Sequence, residues 1–140
     1  MDIVGIGTQV MECMRVRKLI DQHGESFLQQ VYTEREVRFC NGKKNSTEQF
    51  SAHWAAKEAV FRCLGTTWKR GTKWTDVEII CENGGLPQVE LSGPTRELMT
   101  ARGINQILLS LAFCREFATA TGLAVKHTSH RVTEDTALDD

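Results

Sequence analysis

The spacing of apolar positions divides the N-terminal part of the chain into a strand and a broken helix. Residues 2–10 alternate apolar with small residues, which is typical of a strand. Between Val16 and Val31 the apolar positions follow helical spacing, and this spacing is interrupted near His23 and Gly24. The pattern therefore predicts one strand followed by two helical segments.

A capping box predicts the next helix. Thr33 is followed three residues later by Glu36, an arrangement in which each side chain can bond a free backbone N–H group at a helix N-terminus. We expect a short helix that ends near residues 41–42 and is followed by a polar, basic loop over residues 40–47.

The clearest helix is predicted from Thr47 to Leu64. Ser46 or Thr47 can cap its start, and Gly65 can end it. Helical spacing puts four large apolar side chains on one face: Phe50, Trp54, Phe61 and Leu64.

The C-terminal half combines strands with one helix. Two strands joined by a tight turn, then a helix and two further strands, are predicted at residues 76–81, 86–91, 92–103, 105–113 and 116–125, with the turn at 82–85. Strands and helices do not alternate regularly, which favours an α+β fold with helices packed on a mainly antiparallel sheet. We expect one compact domain over residues 1–126 and a flexible tail over 127–140.

Composition and charge narrow the classes of function. The chain has 140 residues, of which 41% are hydrophobic and 25% charged, and its formal net charge is −1. These values are typical of a single globular domain, and the nearly neutral charge excludes nucleic-acid binding through bulk charge. No apolar run approaches the roughly 18 residues of a membrane span, and the N-terminus lacks the basic segment of a secretory signal. We expect a soluble, cytoplasmic protein with no nucleic-acid or membrane partner.

The five cysteines are widely spaced and include no CxxC pair. Their odd number and spacing argue against a disulfide framework and against a structural zinc site. We expect reduced, buried thiols. The histidines form no recognisable arrangement for a nucleophile, and only His53 lies on the long helix, where packing or a surface position is the favoured interpretation.

The first strand contains the sequence GIGTQ. Gly5 and Gly7 permit close approach of another backbone, either for packing or for a phosphate. Val10 stands where a dinucleotide-binding fingerprint would have its third glycine, so packing is the favoured interpretation.

The long helix carries the charged residues with the clearest chemical potential. Lys57 lies in the middle of its apolar face, and Glu58 and Arg62 lie together on the border of that face. Lys57 and Arg62 could neutralise phosphate, while Glu58 could hold a divalent cation or accept a proton. The alternative is a surface pair between Glu58 and Arg62 and a lysine whose stem alone is buried.

Further basic residues are scattered through the chain. Most are expected to be solvated, but a subset converging on an anion would suit a polyphosphate ligand. These residues are Arg15, Arg17, Lys18, Lys43, Lys44, Lys69, Arg70 and Lys73.

Taken in order, the motifs resemble the holo-acyl-carrier-protein synthases, the small phosphopantetheinyl transferases. The resemblance runs from Ile3 to Val125 and is carried by IVGIG, TERE, WAAKEA followed by GT, KWTDVEI and GLPQVELSG. It implies a compact α+β enzyme that transfers phosphopantetheine from coenzyme A to a serine of an apo acyl carrier protein and releases 3′,5′-ADP. It also implies Mg²⁺ at the diphosphate and a homotrimer with coenzyme A bound between neighbouring subunits.

The same resemblance assigns roles to individual residues. Glu58 matches the metal-binding carboxylate and base, and Lys57 matches the lysine of the KEA motif, with a catalytic role. Arg62 stands where a lysine near the diphosphate is usual. The cofactor-contacting turn and the carrier-protein contact are matched by Gly65, Thr66 and Arg15.

The chain departs from the family pattern around the expected site. Gln9 replaces an aspartate and can offer only a neutral, weaker ligand to the metal. Residues 112–113 are Ala-Phe where Ser-His is usual, Thr67 and Lys69 replace loop glycines, and His53 replaces an arginine. Two hypotheses follow: an active transferase, or a weakly active or inactive paralogue that binds coenzyme A or a carrier protein.

Overall fold

The computed structural model describes residues 1–66, 72–82 and 85–128 and has the expected α+β architecture. In chain order the elements are β1 (Asp2–Glu12), α1 (Cys13–His23), α2 (Glu25–Val31), α3 (Glu34–Asn41), α4 (Ser46–Cys63), a 3₁₀ turn (Trp74–Asp76), β2 (Val77–Ile80), β3 (Gln88–Leu91), α5 (Gly93–Ala101), β4 (Gln106–Phe113) and β5 (Phe117–Lys126). A three-stranded antiparallel sheet has the strand order β1–β5–β4, and β2 and β3 form a separate antiparallel pair.

Two glycines of β1 allow α4 to lie directly on the three-stranded sheet. A Cβ atom at Gly5 would overlap the carbonyl group of Cys63, and one at Gly7 would lie 2.6 Å from the Cys63 amide nitrogen. Only glycine leaves room for the helix backbone at these positions. The packing interpretation of the GIG sequence is therefore confirmed.

The sheet surface turned away from α4 is exposed and partly apolar; we call it the outer face. Alternate residues of β1 face α4, whereas Ile6 and Val10 face away and are 64% and 60% exposed. Leu108 joins them through the register Ile6–Leu123–Leu108, and Phe117 extends the apolar surface. This outer face has no covering layer within the described residues.

The predicted features of the first helices are present in the structure. Gly24 has φ +52° and separates α1 from α2, as the interrupted spacing predicted. The capping box is also formed: the Glu36 amide donates to the Thr33 hydroxyl at 3.3 Å, and the Thr33 amide donates to Glu36 Oε1 at 2.9 Å.

The predicted cap of α4 was wrong. The N-cap residue is Asn45, and its side chain makes no capping hydrogen bond. Ser46 is already helical, and the Thr47 hydroxyl accepts a hydrogen bond from the Arg17 guanidinium at 3.3 Å instead. The Thr47 hydroxyl, which local spacing assigned to the cap, is thus engaged in a contact with a residue of α1 that is distant in sequence.

The end of α4 follows the prediction. Gly65 adopts φ +81°, its amide donates to the carbonyl of Arg62, and the Thr66 amide donates to the carbonyl of Phe61, both at 2.9 Å. These two bonds form a Schellman motif, which satisfies free carbonyl groups at a helix C-terminus. The motif fixes the direction in which the chain leaves the helix at Thr66.

Four of the predictions lie wholly or partly outside the described residues. These are the turn at 82–85, of which residues 83–84 are not described, the loop substitutions Thr67 and Lys69, the basic candidates Lys69 and Arg70, and the tail beyond residue 128. At the start of that tail, the Asn105 side chain forms two 2.9 Å hydrogen bonds with the backbone of His127.

No helix within the described ranges is long and apolar enough to cross a membrane. All five cysteines are free thiols; Cys13, Cys40 and Cys63 are buried as expected, whereas Cys81 is half-buried and the expectation was wrong for the exposed Cys114.

Candidate functional site

Gln9 and Glu58 meet where β1 passes beneath α4. Gln9 is 49 positions before Glu58 in the sequence, yet its Nε2 donates a hydrogen bond to Glu58 Oε2. Both side chains are partly buried. The structure thus brings together the two residues that were predicted as metal ligands.

Arg62 lies one helical turn beyond Glu58 and is exposed. Its Cβ atom would lie 2.7 Å from a Cβ added at Gly7, so the base of the arginine side chain rests on β1. No ion pair between Arg62 and Glu58 is present among the described residues. Gln9, Glu58 and Arg62 therefore form a polar edge at the junction of β1 and α4, and Arg62 makes no direct ion pair with Glu58 there.

Lys57, next to Glu58, is directed into the interior. Its side chain has no exposed surface, and its Nζ lies 2.7 Å from Oε1 of the equally buried Glu36. Nζ also donates to the carbonyls of Trp74, at 3.2 Å, and Val77. The structure gives this amine a stabilising role between α4, the 3₁₀ turn and the start of β2, and its predicted part in catalysis stays a prediction.

Burial and pairing act in opposite directions on this lysine and its partner. Burial lowers the pKa of Lys57 and raises the pKa of Glu36, while their mutual attraction opposes both shifts. Glu36 is further bonded by the amides of Thr33 and Ile79. The pair is therefore satisfied by hydrogen bonds on both sides, as a buried ion pair requires.

The Gly65–Thr66 turn lies beside an arginine that the sequence did not single out. Arg102, at the end of α5, donates a hydrogen bond from Nη1 to the carbonyl of Leu64. A Cβ atom at Gly65 would overlap that same guanidinium nitrogen. The predicted cofactor-contacting turn is thus held in place by the side chain of Arg102, which comes from a distant part of the chain.

Arg15 lies above a different part of α4. Its guanidinium carbon is 5.7 Å from the centre of the Trp54 ring, within the range of a cation–π contact. Arg15 and Trp54 line a surface groove of about 620 Å³ whose other walls include Lys73 and Trp74. The residue predicted to contact the carrier protein is therefore exposed at the rim of an open groove.

His53 and the Ala112–Phe113 pair occupy very different environments. His53 is fully buried, its Nδ1 lies 2.9 Å from the carbonyl of Gln49, and burial lowers its pKa from 6.5 to about 4. The imidazole is therefore neutral near pH 7 and packs in the interior rather than at the surface. Ala112 and Phe113, at the end of β4, are exposed.

A metal at this site would depend on few protein ligands. Among the described residues, no group of three or more His, Cys, Asp or Glu side chains is placed to hold an ion. Glu58 offers one carboxylate, which fits Mg²⁺ because this ion is commonly bound by one or two carboxylates together with substrate phosphates and water.

The comparison with known proteins identifies the family. Residues 5–121 match the profile described as the 4′-phosphopantetheinyl transferase superfamily. The chain belongs to this superfamily. The match contains β1 and α4, and with them Gln9, Glu58 and Arg62.

Individual relatives agree with this family. The chain is 42% identical over 120 residues to a holo-[acyl-carrier-protein] synthase of Rhodopirellula baltica, covering 86% of this chain and 95% of that protein. A Bacillus anthracis holo-(acyl-carrier-protein) synthase in complex with coenzyme A (3′,5′-ADP) has a TM-score of 0.72 and 28% identity, covering 89% and 98% of the two chains. The Neisseria meningitidis enzyme, at 24% identity and TM-score 0.79 over 89% of this chain and all of that one, shares the fold.

Sequence reasoning did not predict two residues that shape the site. Glu36 was seen only as half of a capping box, although the fully buried Lys57 requires a partner of opposite charge. Arg102 gave no local signal, because its contact with Leu64 spans 38 positions of sequence. An unpaired lysine on an apolar helix face was the one available indication of a buried acid.

Proposed function

We propose that this chain transfers 4′-phosphopantetheine from coenzyme A to a serine of an apo acyl carrier protein and releases 3′,5′-ADP. The observation that carries the proposal is the polar edge of Gln9, Glu58 and Arg62 at the junction of β1 and α4. Membership of the transferase superfamily and the similarity to holo-[acyl-carrier-protein] synthases support it.

The reaction exchanges one phosphorus–oxygen bond for another. The serine oxygen forms a bond to the phosphorus that carries pantetheine, and the bond from that phosphorus to the bridging diphosphate oxygen breaks, so that 3′,5′-ADP leaves. Such transfer depends mainly on positioning and charge neutralisation. In this proposal Glu58 accepts the serine proton, and Arg62 neutralises charge on the diphosphate.

The remaining site residues bind and orient the substrates. The Gly65–Thr66 turn contacts coenzyme A, and Arg15 contacts the carrier protein at the rim of the groove. Lys57 supports Glu58 from the interior by fixing the position of α4.

Magnesium is part of this proposal. Glu58 would hold the ion, and Gln9 could contribute a neutral amide oxygen only by giving up the hydrogen bond that it now donates to Glu58. When bound, Mg²⁺ would supply positive charge to the diphosphate.

We further propose a cytoplasmic homotrimer with coenzyme A bound between subunits. The outer face supports an association of this kind, because it exposes Ile6, Val10, Leu108 and Phe117 on one side of the sheet. A non-catalytic paralogue is the alternative hypothesis, motivated by Gln9 and Ala112–Phe113, and the relatives do not favour it.

Mass spectrometry of apo carrier proteins tests the proposed activity. The chain is incubated with coenzyme A, Mg²⁺ and several apo carriers, and each carrier is weighed. We expect one added phosphopantetheine group with the wild type and at least about a hundredfold lower rate with Glu58→Gln. Glu48→Gln, on the first turn of the same helix, is the matched control and should retain activity. No modification of any carrier, beside an active reference enzyme, would support the non-catalytic alternative.

A further inference from the structure

Both ends of the Gln9 side-chain amide are already engaged. Nε2 donates to Glu58 Oε2, and Oε1 accepts a 3.3 Å hydrogen bond from the backbone amide of Val10. The amide therefore presents its donor, not its oxygen, to the carboxylate. This arrangement orients the Glu58 carboxylate. It also keeps the only oxygen of the Gln9 side chain bonded to the backbone of β1, the strand on which Gln9 lies.

This orientation limits what the protein alone can offer to a cation. An amide N–H group cannot coordinate a metal, so Glu58 supplies one carboxylate and Gln9 supplies no ligand as placed. Elsewhere within the described residues no acidic or histidine side chain completes a set of three with Glu58. Mg²⁺ has six ligands, prefers oxygen and gives up its water reluctantly. One partly exposed carboxylate is a weak site for such an ion.

We propose that Gln9 is a positioning residue that orients Glu58 and makes divalent-cation binding conditional on a bound diphosphate. The proposal rests on the proposed function, because the diphosphate is that of coenzyme A. The substrate brings two negatively charged phosphate groups, and these supply the oxygen ligands and the charge that the protein lacks. Cation and coenzyme A then bind together, and among the described residues the free protein holds no preformed group of three metal-ligating side chains.

Substitutions at position 9 test the proposal because they change the charge beside Glu58. Gln9→Asp replaces the amide with a second carboxylate beside Glu58. Two adjacent carboxylates repel each other, and a bound cation removes this repulsion. The variant should therefore bind the ion without substrate. Gln9→Met removes the hydrogen bond to Glu58 and adds no charge. Gln88→Asp, at an exposed position on β3, adds the same charge to the separate β2–β3 pair and is the matched control.

The test measures Mn²⁺ binding directly, by the loss of the free-ion signal in electron paramagnetic resonance. Titrations are made with the protein alone, with coenzyme A and with 3′,5′-ADP, which lacks the diphosphate linkage. Each is compared with the same ligand in the absence of protein. We expect the wild type to bind Mn²⁺ at least about tenfold more tightly with coenzyme A than alone, and to gain much less with 3′,5′-ADP.

The variants separate orientation from charge. Gln9→Asp should bind Mn²⁺ at least about tenfold more tightly than the wild type in the free protein, and Gln88→Asp should not. Gln9→Met should leave the weak binding of the free protein unchanged and reduce binding in the presence of coenzyme A about threefold or more, because Glu58 loses its donor. Circular dichroism checks that each variant is folded, and the ligand dependence of the wild type tests the proposal even where Gln9→Asp does not fold.

Opposite outcomes would overturn the proposal. These are tight Mn²⁺ binding by the free wild type, equal affinities with and without coenzyme A, or no gain from Gln9→Asp in a folded protein. Absence of coenzyme A binding by calorimetry would instead refute the proposed function. In that case the free-protein comparison of wild type, Gln9→Asp and Gln88→Asp would still decide whether Gln9 limits cation binding.

Discussion

The Nζ atom of Lys57 lies 2.7 Å from Oε1 of Glu36, and neither side chain has any exposed surface. The lysine belongs to the same helix turn as Glu58, and the glutamate lies in the first turn of the capped helix α3. A fully buried ion pair thus joins the helix that carries the proposed catalytic carboxylate to a second helix and to β2.

Removing one member of this pair should destabilise the protein strongly. Lys57→Met leaves the Glu36 carboxylate buried without its counterion, and loss of one partner from a buried pair costs about 3–5 kcal/mol of unfolding free energy. Urea denaturation measures the change. The double variant Lys57→Met/Glu36→Leu buries no charge and should lose much less than the sum of the two single variants. Strictly additive losses would show that the two side chains are not coupled.

Stability should fall in mildly acidic solution because of His53. Its pKa is about 4 in the folded chain and 6.5 ordinarily, so between these values the unfolded chain binds a proton that the folded chain does not. The full stability is therefore present above pH 6.5, and the free energy of unfolding falls by roughly 1.4 kcal/mol for each pH unit as the pH is lowered towards 4. Urea midpoints of wild type and His53→Asn, compared at pH 7 and pH 5, measure it. The exposed His23→Gln is the control and should keep the wild-type pH dependence.

The contact between α4 and β1 should not tolerate a methyl group at position 7. In Gly7→Ala the new Cβ would lie 2.6 Å from the Cys63 amide nitrogen and 2.7 Å from Cβ of Arg62, so the helix must move. Overpacking of this kind costs about 1–3 kcal/mol, and thermal unfolding measures it. Gly42→Ala is the matched control: with φ −76° and no contact closer than 3.4 Å, it should be neutral or slightly stabilising. Equal effects at the two positions would contradict the packing argument.

A charge on the outer face should disrupt the proposed trimer. Ile6→Asp places a carboxylate in the middle of the exposed apolar surface, and burying it between subunits would be costly. Size-exclusion chromatography with light scattering should report a trimer for the wild type and a smaller mass for Ile6→Asp. Leu86→Asp, at an 85% exposed loop position, is the control and should leave the mass unchanged. A wild-type monomer would refute the trimer and leave the transfer reaction to be tested separately.

The sequence predicted the elements that depend on local chemistry. Thr33 and Glu36 identified the start of α3, and Gly24 and Gly65 identified the places where helices end, because caps and positive φ angles depend on a few adjacent residues. The cap of α4 was predicted wrongly for the opposite reason. The Thr47 hydroxyl bonds Arg17, 30 positions away, and local spacing contains no information about that contact.

The sequence by itself determined the α+β class, the order of the helices and strands, and the resemblance that singled out Gln9, Glu58 and Arg62. All three depend on the periodicity of apolar residues and on short motifs, which involve residues close together in the sequence. Tertiary structure alone decided that Gln9 donates to Glu58 and that the amine of Lys57 points inward to Glu36. Such contacts join residues 49 and 21 positions apart, and they exist only because Gly5 and Gly7 let α4 lie directly on β1 and because α3 packs beside it.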